Sequence, residues 1–122
     1  MNGSEEGVLL WIRHAPHSTV HLGEAIRLAT MGTALGVPFR LLFLGDGVRA
    51  LLRGTEAYRL GPPIDKLLTD VVTAESPALV HRRSLEARGL SADDLAPRVP
   101  VELVDDGGAA EWLERSHRVV PF

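Results

Sequence analysis

The chain lacks cysteine altogether, and it has a single lysine, Lys66, and a single asparagine, Asn2, among its 122 residues. Without cysteine the protein has no disulfides, no thiolate ligands for zinc and no thiol nucleophile. Its formal net charge is −3, and no segment is strongly basic. We therefore expect no direct contact with nucleic acid.

Long apolar runs are also missing. No stretch approaches the roughly 18 residues of a membrane span, and residues 1–7 are acidic where a signal peptide would be basic and then apolar. We expect a cytoplasmic protein without membrane contact. Apolar residues make up 45% of the chain and charged residues 24%, which is ordinary for a globular protein. We expect residues 1–7 to be a flexible terminus and residues 8–122 to form one domain.

Apolar runs alternate with helical patterns along the rest of the chain. Strands are predicted at 8–13, 39–44, 78–80, 101–104 and 117–122. Helices are predicted at 19–35, 48–53, 64–74, 82–88 and 107–115, with one helical turn at 91–94. Asp46 is expected to N-cap the second helix, and Gly36 to follow the end of the first. This alternation predicts a mostly parallel five-stranded sheet with helices on both faces.

The loop after the first strand is the first place to look for a functional site, because parallel sheets bind ligands at the carboxyl ends of their strands. It contains His14 and His17, and His21 follows soon after. Arg13-His14 resembles the way in which histidine phosphatases present their nucleophile, where the histidine takes the phosphoryl group and the arginine neutralises it. That fold also needs a second histidine and further arginines late in a longer chain, and His117 is a poor substitute. A strand end followed by a polar loop explains the same residues.

The three loop histidines are also candidate metal ligands. His17 and His21 lie four residues apart and could share one helix face, whereas Pro16 takes His14 off that helix. Three histidines without a patterned fourth ligand do not make a zinc signature. Solvated loop histidines are therefore the preferred interpretation, and no metal is predicted. A metal-binding or small-ligand-binding enzyme that uses this loop is the alternative.

Gly45-Asp-Gly47 offers a different chemistry, since its amides and those that open the first helix could hold a small anion. Neither loop has the glycine spacing of a P-loop or of a dinucleotide fingerprint, so we expect no cofactor. No Ser-His-Asp arrangement stands out, because Ser18 and Ser84 have no defined base or acid partner in the sequence.

Five segments share their order and spacing with a known family. The loop 14–19 and the pair Glu24-Ala25 are similar to its first loop and first helix. The segment 43–48, Phe-Leu-Gly-Asp-Gly-Val, is similar to the end of its second strand and the helix that follows. Residues 84–90 and 118–122 also fit. On these segments the chain resembles the DsrE/DsrF-like sulfur-relay family, in particular its DsrF or TusC branch, over most of its length.

The resemblance implies a flavodoxin-like three-layer α/β/α fold and a subunit that works in an oligomer. Members of the family associate as trimers, hexamers or hetero-hexamers of related subunits. Some subunits carry a cysteine that receives persulfide sulfur and passes it on, toward tRNA thiolation or sulfur oxidation. We therefore expect a homo-oligomer (a trimer or hexamer), a hetero-oligomer with a cysteine-bearing DsrE-like subunit, or both.

The chain departs from the family at the reactive residue. The family's cysteine precedes the glycine of the Arg-Gly segment by eight residues, which places His81 there, ahead of Gly89. A persulfide carrier needs a thiolate, so the resemblance implies a non-catalytic or accessory subunit rather than an enzyme. Right-handed crossovers place His81 on the rim that bears His14, His17 and Asp46. These four residues form the candidate rim site, although a tolerated replacement without a role also explains His81.

Overall fold

Five short apolar segments form one parallel sheet. The computed structural model describes residues 7–14, 21–53 and 68–122. Its strands are β1 (Val8–Ile12), β2 (Phe39–Phe43), β3 (Ala78–His81), β4 (Val101–Val104) and β5 (Arg118–Pro121). They lie in the order β4-β3-β2-β1-β5, and every neighbouring pair is parallel. The predicted five-stranded parallel sheet is confirmed, and each strand lies within one residue of its predicted bounds.

The helices of the described residues are α1 (His21–Ala34), a 3₁₀ helix (Gly45–Leu51), α2 (Arg82–Ala87), a second 3₁₀ helix (Ala92–Asp94) and α3 (Asp106–Arg115). Gly36 follows α1 with φ of +84°, as predicted. At the second 3₁₀ helix, the amide of Ser91 donates to Asp94 Oδ2 at 2.8 Å, which confirms the predicted helical turn. The predicted start of the first helix near Thr19 lies outside the described residues.

Two helix predictions are wrong in detail. The chain turns immediately after β2, where Gly45 has φ of +56°, and the helix that begins at Gly45 is a 3₁₀ helix. Leu44 is its N-cap, and Asp46 lies inside the first turn instead of capping it. Of the helix predicted at 64–74, residues 64–67 lie outside the described residues. Beyond them, Thr73 and Ser76 exchange backbone hydrogen bonds of 3.2 and 3.1 Å, and this turn ends any helix before residue 74.

The core lies on both faces of the sheet. On the larger side, α1, α2 and the first 3₁₀ helix pack against the strands around fully buried residues such as Leu10, Leu41 and Val80. On the other side, α3 covers a smaller cluster built on Leu9, Leu42, Leu79, Val104 and Ala109. A fully buried leucine contributes about 1.5–3 kcal/mol, so α3 is held mainly by this second cluster. Helices on both faces confirm the predicted three-layer fold.

No helix in the described parts of the chain has the length and apolar character needed to span a membrane.

Candidate functional site

The ends of β1, β2 and β3 lie on one edge of the sheet, which we call the carboxyl rim. The amide of Leu44 donates to the carbonyl of Ile12 at 3.0 Å. At Gly47 an added Cβ would lie 2.1 Å from the same carbonyl oxygen, so only glycine fits there. The loop after β2 therefore packs directly against the end of β1.

His81 is the best-defined functional side chain on the carboxyl rim. It is the last residue of β3, and its side chain is 15% exposed. Its Nε2 lies 2.7 Å from Asp106 Oδ1, at the start of α3. Its Nδ1 lies 2.7 Å from Ser84 Oγ, in α2. Both ring nitrogens are therefore engaged. A carboxylate only accepts, so Nε2 donates to Asp106, and Nδ1 of the neutral ring accepts from the Ser84 hydroxyl.

Ser84 extends this chain of hydrogen bonds to the next loop. Its Oγ also accepts from the amide of Gly45 at 2.8 Å, and the residue is buried. These hydrogen bonds run from Asp106 through His81 and Ser84 to Gly45, and they connect α3, β3, α2 and the loop after β2. We call these four residues the rim relay.

Asp106 anchors the exposed end of the rim relay. Its Oδ2 lies 3.3 Å from Arg83 Nη1. The hydrogen bond from His81, together with the charge of Arg83, holds the pKa of Asp106 below its usual value. The carboxylate therefore stays ionised at neutral pH, which fixes the proton on His81 Nε2. An open cavity of about 300 Å³ lies beside it, lined by Asp105, Asp106, Gly107, Arg82, Arg83 and Glu86.

Asp46 is held by an arginine of the neighbouring loop. Nε and Nη2 of Arg88 both lie 3.0 Å from Asp46 Oδ1, and Nη1 donates to the carbonyl of Ser84 at 3.0 Å. The amide of Gly45 donates to Ser84, and that of Gly47 to the carbonyl of Leu44. These two amides and the arginine have protein acceptors, so they are already engaged within the protein.

His14 does not join the rim relay. His14 Nδ1 lies 3.0 Å from the carbonyl oxygen of Phe122, beyond the end of β5. Because β2 lies between β1 and β3, the strands that carry His14 and His81 are about 10 Å apart. His17 and the side chain of His21 lie outside the described residues. Within the described parts of the chain, no group of three acidic or histidine side chains could hold a metal ion.

Sequence reasoning missed the Ser-His-Asp arrangement of the rim relay. His81 and Ser84 are three residues apart across a strand-to-helix junction, a spacing that brings side chains together. Asp106 follows β4, which neighbours β3, but only the strand order reveals this. The hydrogen bonds follow the pattern of a catalytic triad. However, Ser84 is buried and its oxygen already accepts the Gly45 amide, so the arrangement positions groups and does not expose a nucleophile.

A parallel α/β protein with these features has known relatives. Residues 6–122 match the family model of the DsrE/DsrF-like family, and the chain belongs to that family. It is 32% identical over 126 residues to the intracellular sulfur oxidation protein DsrF of Allochromatium vinosum, covering 90% of this chain and 91% of the relative. It is 30% identical over 117 residues to a TusC homologue of Pseudomonas aeruginosa, covering 94% and 97%.

Solved structures agree with this assignment. The crystal structure of the ychN protein from E. coli superimposes with a TM-score of 0.81 at 25% identity, covering 96% of this chain and 99% of that one. The resemblance read from the sequence, including its DsrF and TusC branch, is confirmed.

Proposed function

We propose that the chain is an accessory subunit of a sulfur-relay assembly and that the sulfur-carrying cysteine belongs to a partner. Membership of the DsrE/DsrF-like family supports the sulfur-relay part of this proposal. Its relatives include a protein named for intracellular sulfur oxidation, and that name also supports action in the cytoplasm. The chain has no cysteine with which to form a persulfide.

The observation that carries the proposal is the state of His81. The resemblance places the family's cysteine at this residue, and here the imidazole has both nitrogens hydrogen-bonded within the chain. A histidine held in this way fixes the shape of the carboxyl rim and is not free to attack a substrate. The rim relay therefore suits a surface against which a partner's reactive group is positioned.

The proposed partner is a cysteine-bearing DsrE-like subunit, in a hetero-oligomer or beside a homo-oligomer (a trimer or hexamer) of this chain. Exposed apolar side chains support association. Met31 is 58% exposed and Leu35 is 80% exposed, and Leu28 and Val37 are partly exposed nearby. Apolar residues clustered in this way on α1 and the turn after it are typical of a contact surface.

Co-expression tests the proposal. The chain is produced alone and together with a cysteine-bearing relative from the same genome, and masses are measured by light scattering. The complex is then given a persulfide donor, and mass spectrometry follows the gain of one sulfur atom on the partner's cysteine. His81→Ala is compared with Thr33→Ala, a control on the exposed surface of α1.

We expect a stable oligomer. We also expect the partner's cysteine to gain sulfur more slowly with His81→Ala, and at an unchanged rate with Thr33→Ala. The proposal is wrong if the chain is a strict monomer that does not bind the partner. If a complex forms but the partner's cysteine gains sulfur at the same rate with both variants, the chain is still an accessory subunit, but the rim relay has no part in that role.

A further inference from the structure

The exposed side of α1 near its end is apolar. Met31 is 58% exposed and Leu35 is 80% exposed, and Leu28 and Val37 are 39% and 38% exposed. Leu28, Met31 and Leu35 are spaced by three and then four residues, so their side chains lie along one side of the helix. We call these four residues the α1 ridge. Residues 28–38 contain no charged residue, and the core of a protein interface is likewise poor in charge and rich in methionine.

The backbone at the end of α1 holds the ridge in one shape. Gly36 has φ of +84°, and its amide donates to the carbonyl of Thr33 at 3.0 Å. The amide of Val37 donates to the carbonyl of Gly32 at 2.9 Å. This pair of bonds is a Schellman motif, which closes the helix with a fixed turn. The ridge therefore stands on ordered backbone, and a partner that contacts it has little chain to immobilise.

A second copy of this chain is the partner that fits the α1 ridge. An uncharged face can pack against its own copy in a two-fold symmetric contact without bringing like charges together. When two α1 helices cross antiparallel about an axis near Met31, Leu28 of one copy lies beside Leu35 of the other. The nearest charged residue along the helix is Arg27, and it then lies about 13 Å from its own copy. That distance exceeds the Debye length of about 8 Å at physiological ionic strength.

Met31 also places an oxidisable sulfur in the middle of the ridge. The chain has no cysteine and two methionines, and the other one, Met1, lies outside the described residues. Oxidation of a thioether requires access to the sulfur, and the Met31 residue is more than half exposed. No thiol of the chain competes for the oxidant.

We propose that Met31 is a redox modification site, and that its oxidation to the sulfoxide by a hydroperoxide separates two copies of the chain held together by the α1 ridge. This inference deepens the proposed function and rests on the homo-oligomer considered there. The thioether sulfur attacks the terminal oxygen of the hydroperoxide, and the S–O bond forms as the O–O bond breaks. Sulfur loses two electrons, and the proton of the terminal oxygen passes to the leaving group, which departs as water or an alcohol. The sulfoxide is polar, and in an apolar contact its oxygen has no hydrogen-bond donor, so only the reduced form associates tightly.

Hydrogen peroxide is the probe, and it is applied to the purified full chain. Peptide mass spectrometry measures the gain of one oxygen atom at Met31, and sedimentation velocity measures association before and after treatment. We expect the reduced chain to be an oligomer and oxidation to raise its dissociation constant by about ten-fold or more. Methionine sulfoxide reductases A and B should restore association. Oxidation should also be slower at concentrations where the chain is assembled, because the contact covers the sulfur.

Two variants separate the effect of the sulfur from general damage by peroxide. Met31→Leu keeps the size and apolar character of the side chain, so it should associate like the parent and should not respond to peroxide. Met31→Gln places a polar group at the same position and keeps a good helix former there. It should raise the dissociation constant by about ten-fold without peroxide. Circular dichroism checks that both variants are folded.

Three results would each overturn the inference. The first is that Met31 stays unmodified in peroxide that fully oxidises a free methionine peptide. The second is equal association of the reduced and oxidised parent, or of the parent and folded Met31→Gln. The third is that the chain alone is a monomer at every concentration measured. In that case the proposed function still stands if the chain forms a complex with the cysteine-bearing relative, so the two failures are distinguishable.

Discussion

His81 Nε2 and Asp106 Oδ1 lie 2.7 Å apart, and this bond ties the end of β3 to the first residue of α3. The two partners differ in environment, since the His81 side chain is 15% exposed and that of Asp106 is 57% exposed. The bond therefore joins the interior of the carboxyl rim to its surface. It also fixes the start of the helix that covers the smaller face of the core.

The pH dependence of stability should report on Asp106. Its pKa in the folded state is lowered, mainly by the hydrogen bond from His81. Its contribution to stability is therefore complete above the pKa of an unfolded aspartate, about 3.9. It is lost as the pH falls through the lower folded-state value. Thermal melts from pH 7 to pH 2 measure this effect. At neutral pH the parent should have a higher melting temperature than Asp106→Asn, and the two melting temperatures should converge in acid. Asp93→Asn, a control at an exposed residue, should have the same melting temperatures as the parent. If the curve of melting temperature against pH for Asp106→Asn ran parallel to that of the parent, Asp106 would not be the source of the pH dependence.

Removal of the Ser84 hydroxyl should destabilise the fold. Ser84→Ala leaves the Gly45 amide and His81 Nδ1 without their shared partner in a buried place. An unsatisfied buried polar group costs about 1–3 kcal/mol, and we expect a loss of that size in the free energy of unfolding by urea. Thr33→Ala, on the exposed surface of α1, should change it by less than about 0.5 kcal/mol. A loss no larger than that of the control would mean that water replaces the hydroxyl.

Two glycines of α1 should respond to alanine in opposite directions. At Gly23 an added Cβ meets nothing within 4 Å, whereas at Gly32 it would lie 1.9 Å from the ring of Phe39. Gly23→Ala should stabilise the chain by about 0.5–1 kcal/mol through helix propensity. Gly32→Ala should destabilise it by about 1–3 kcal/mol through overpacking. Denaturant titration of the two variants checks both signs, and equal shifts would show that Phe39 moves aside freely.

The pair formed by Asp46 and Arg88 should contribute modestly. Nε and Nη2 of Arg88 both lie 3.0 Å from one carboxylate oxygen of Asp46, but this carboxylate is largely exposed. A double-mutant cycle with Asp46→Asn and Arg88→Gln should give a coupling of about 0.5–1 kcal/mol that shrinks with salt. The same cycle at Arg49, whose Nε is 3.9 Å from Asp46, should give about 0.2 kcal/mol. A coupling energy at Arg49 larger than that at Arg88 would show that Arg49 is the main ionic partner of Asp46.

The alternation of apolar runs with helical patterns was sufficient to predict the strands and the parallel sheet. The prediction succeeded because β1 and β2 are buried on both faces, and short continuous apolar runs are typical of such strands in a parallel sheet. Helix type after β2 was not predictable. It depends on the close approach of Gly47 to the carbonyl of Ile12, a contact between segments far apart in sequence.

The candidate site was only partly predictable for the same reason. His81 and Asp46 were expected on the carboxyl rim, and both lie there, yet their partners Asp106 and Arg88 come from elements that only the fold brings close. Local spacing could have indicated the bond between His81 and Ser84. Strand order was needed for the rest, because Asp106 reaches His81 through the pairing of β4 with β3.

The strand order also has a consequence for how the chain folds during synthesis. β1 is an interior strand, and Val8 pairs with Phe39 on one side and with Arg118 on the other. The first partner leaves the ribosome soon after β1, and the second only near the end of the described chain. Until then one edge of β1 has open hydrogen-bonding groups, which other strands can capture. Closure by β5 is thus a late, long-range step, and nascent chains that stall before it should be the ones most prone to aggregate.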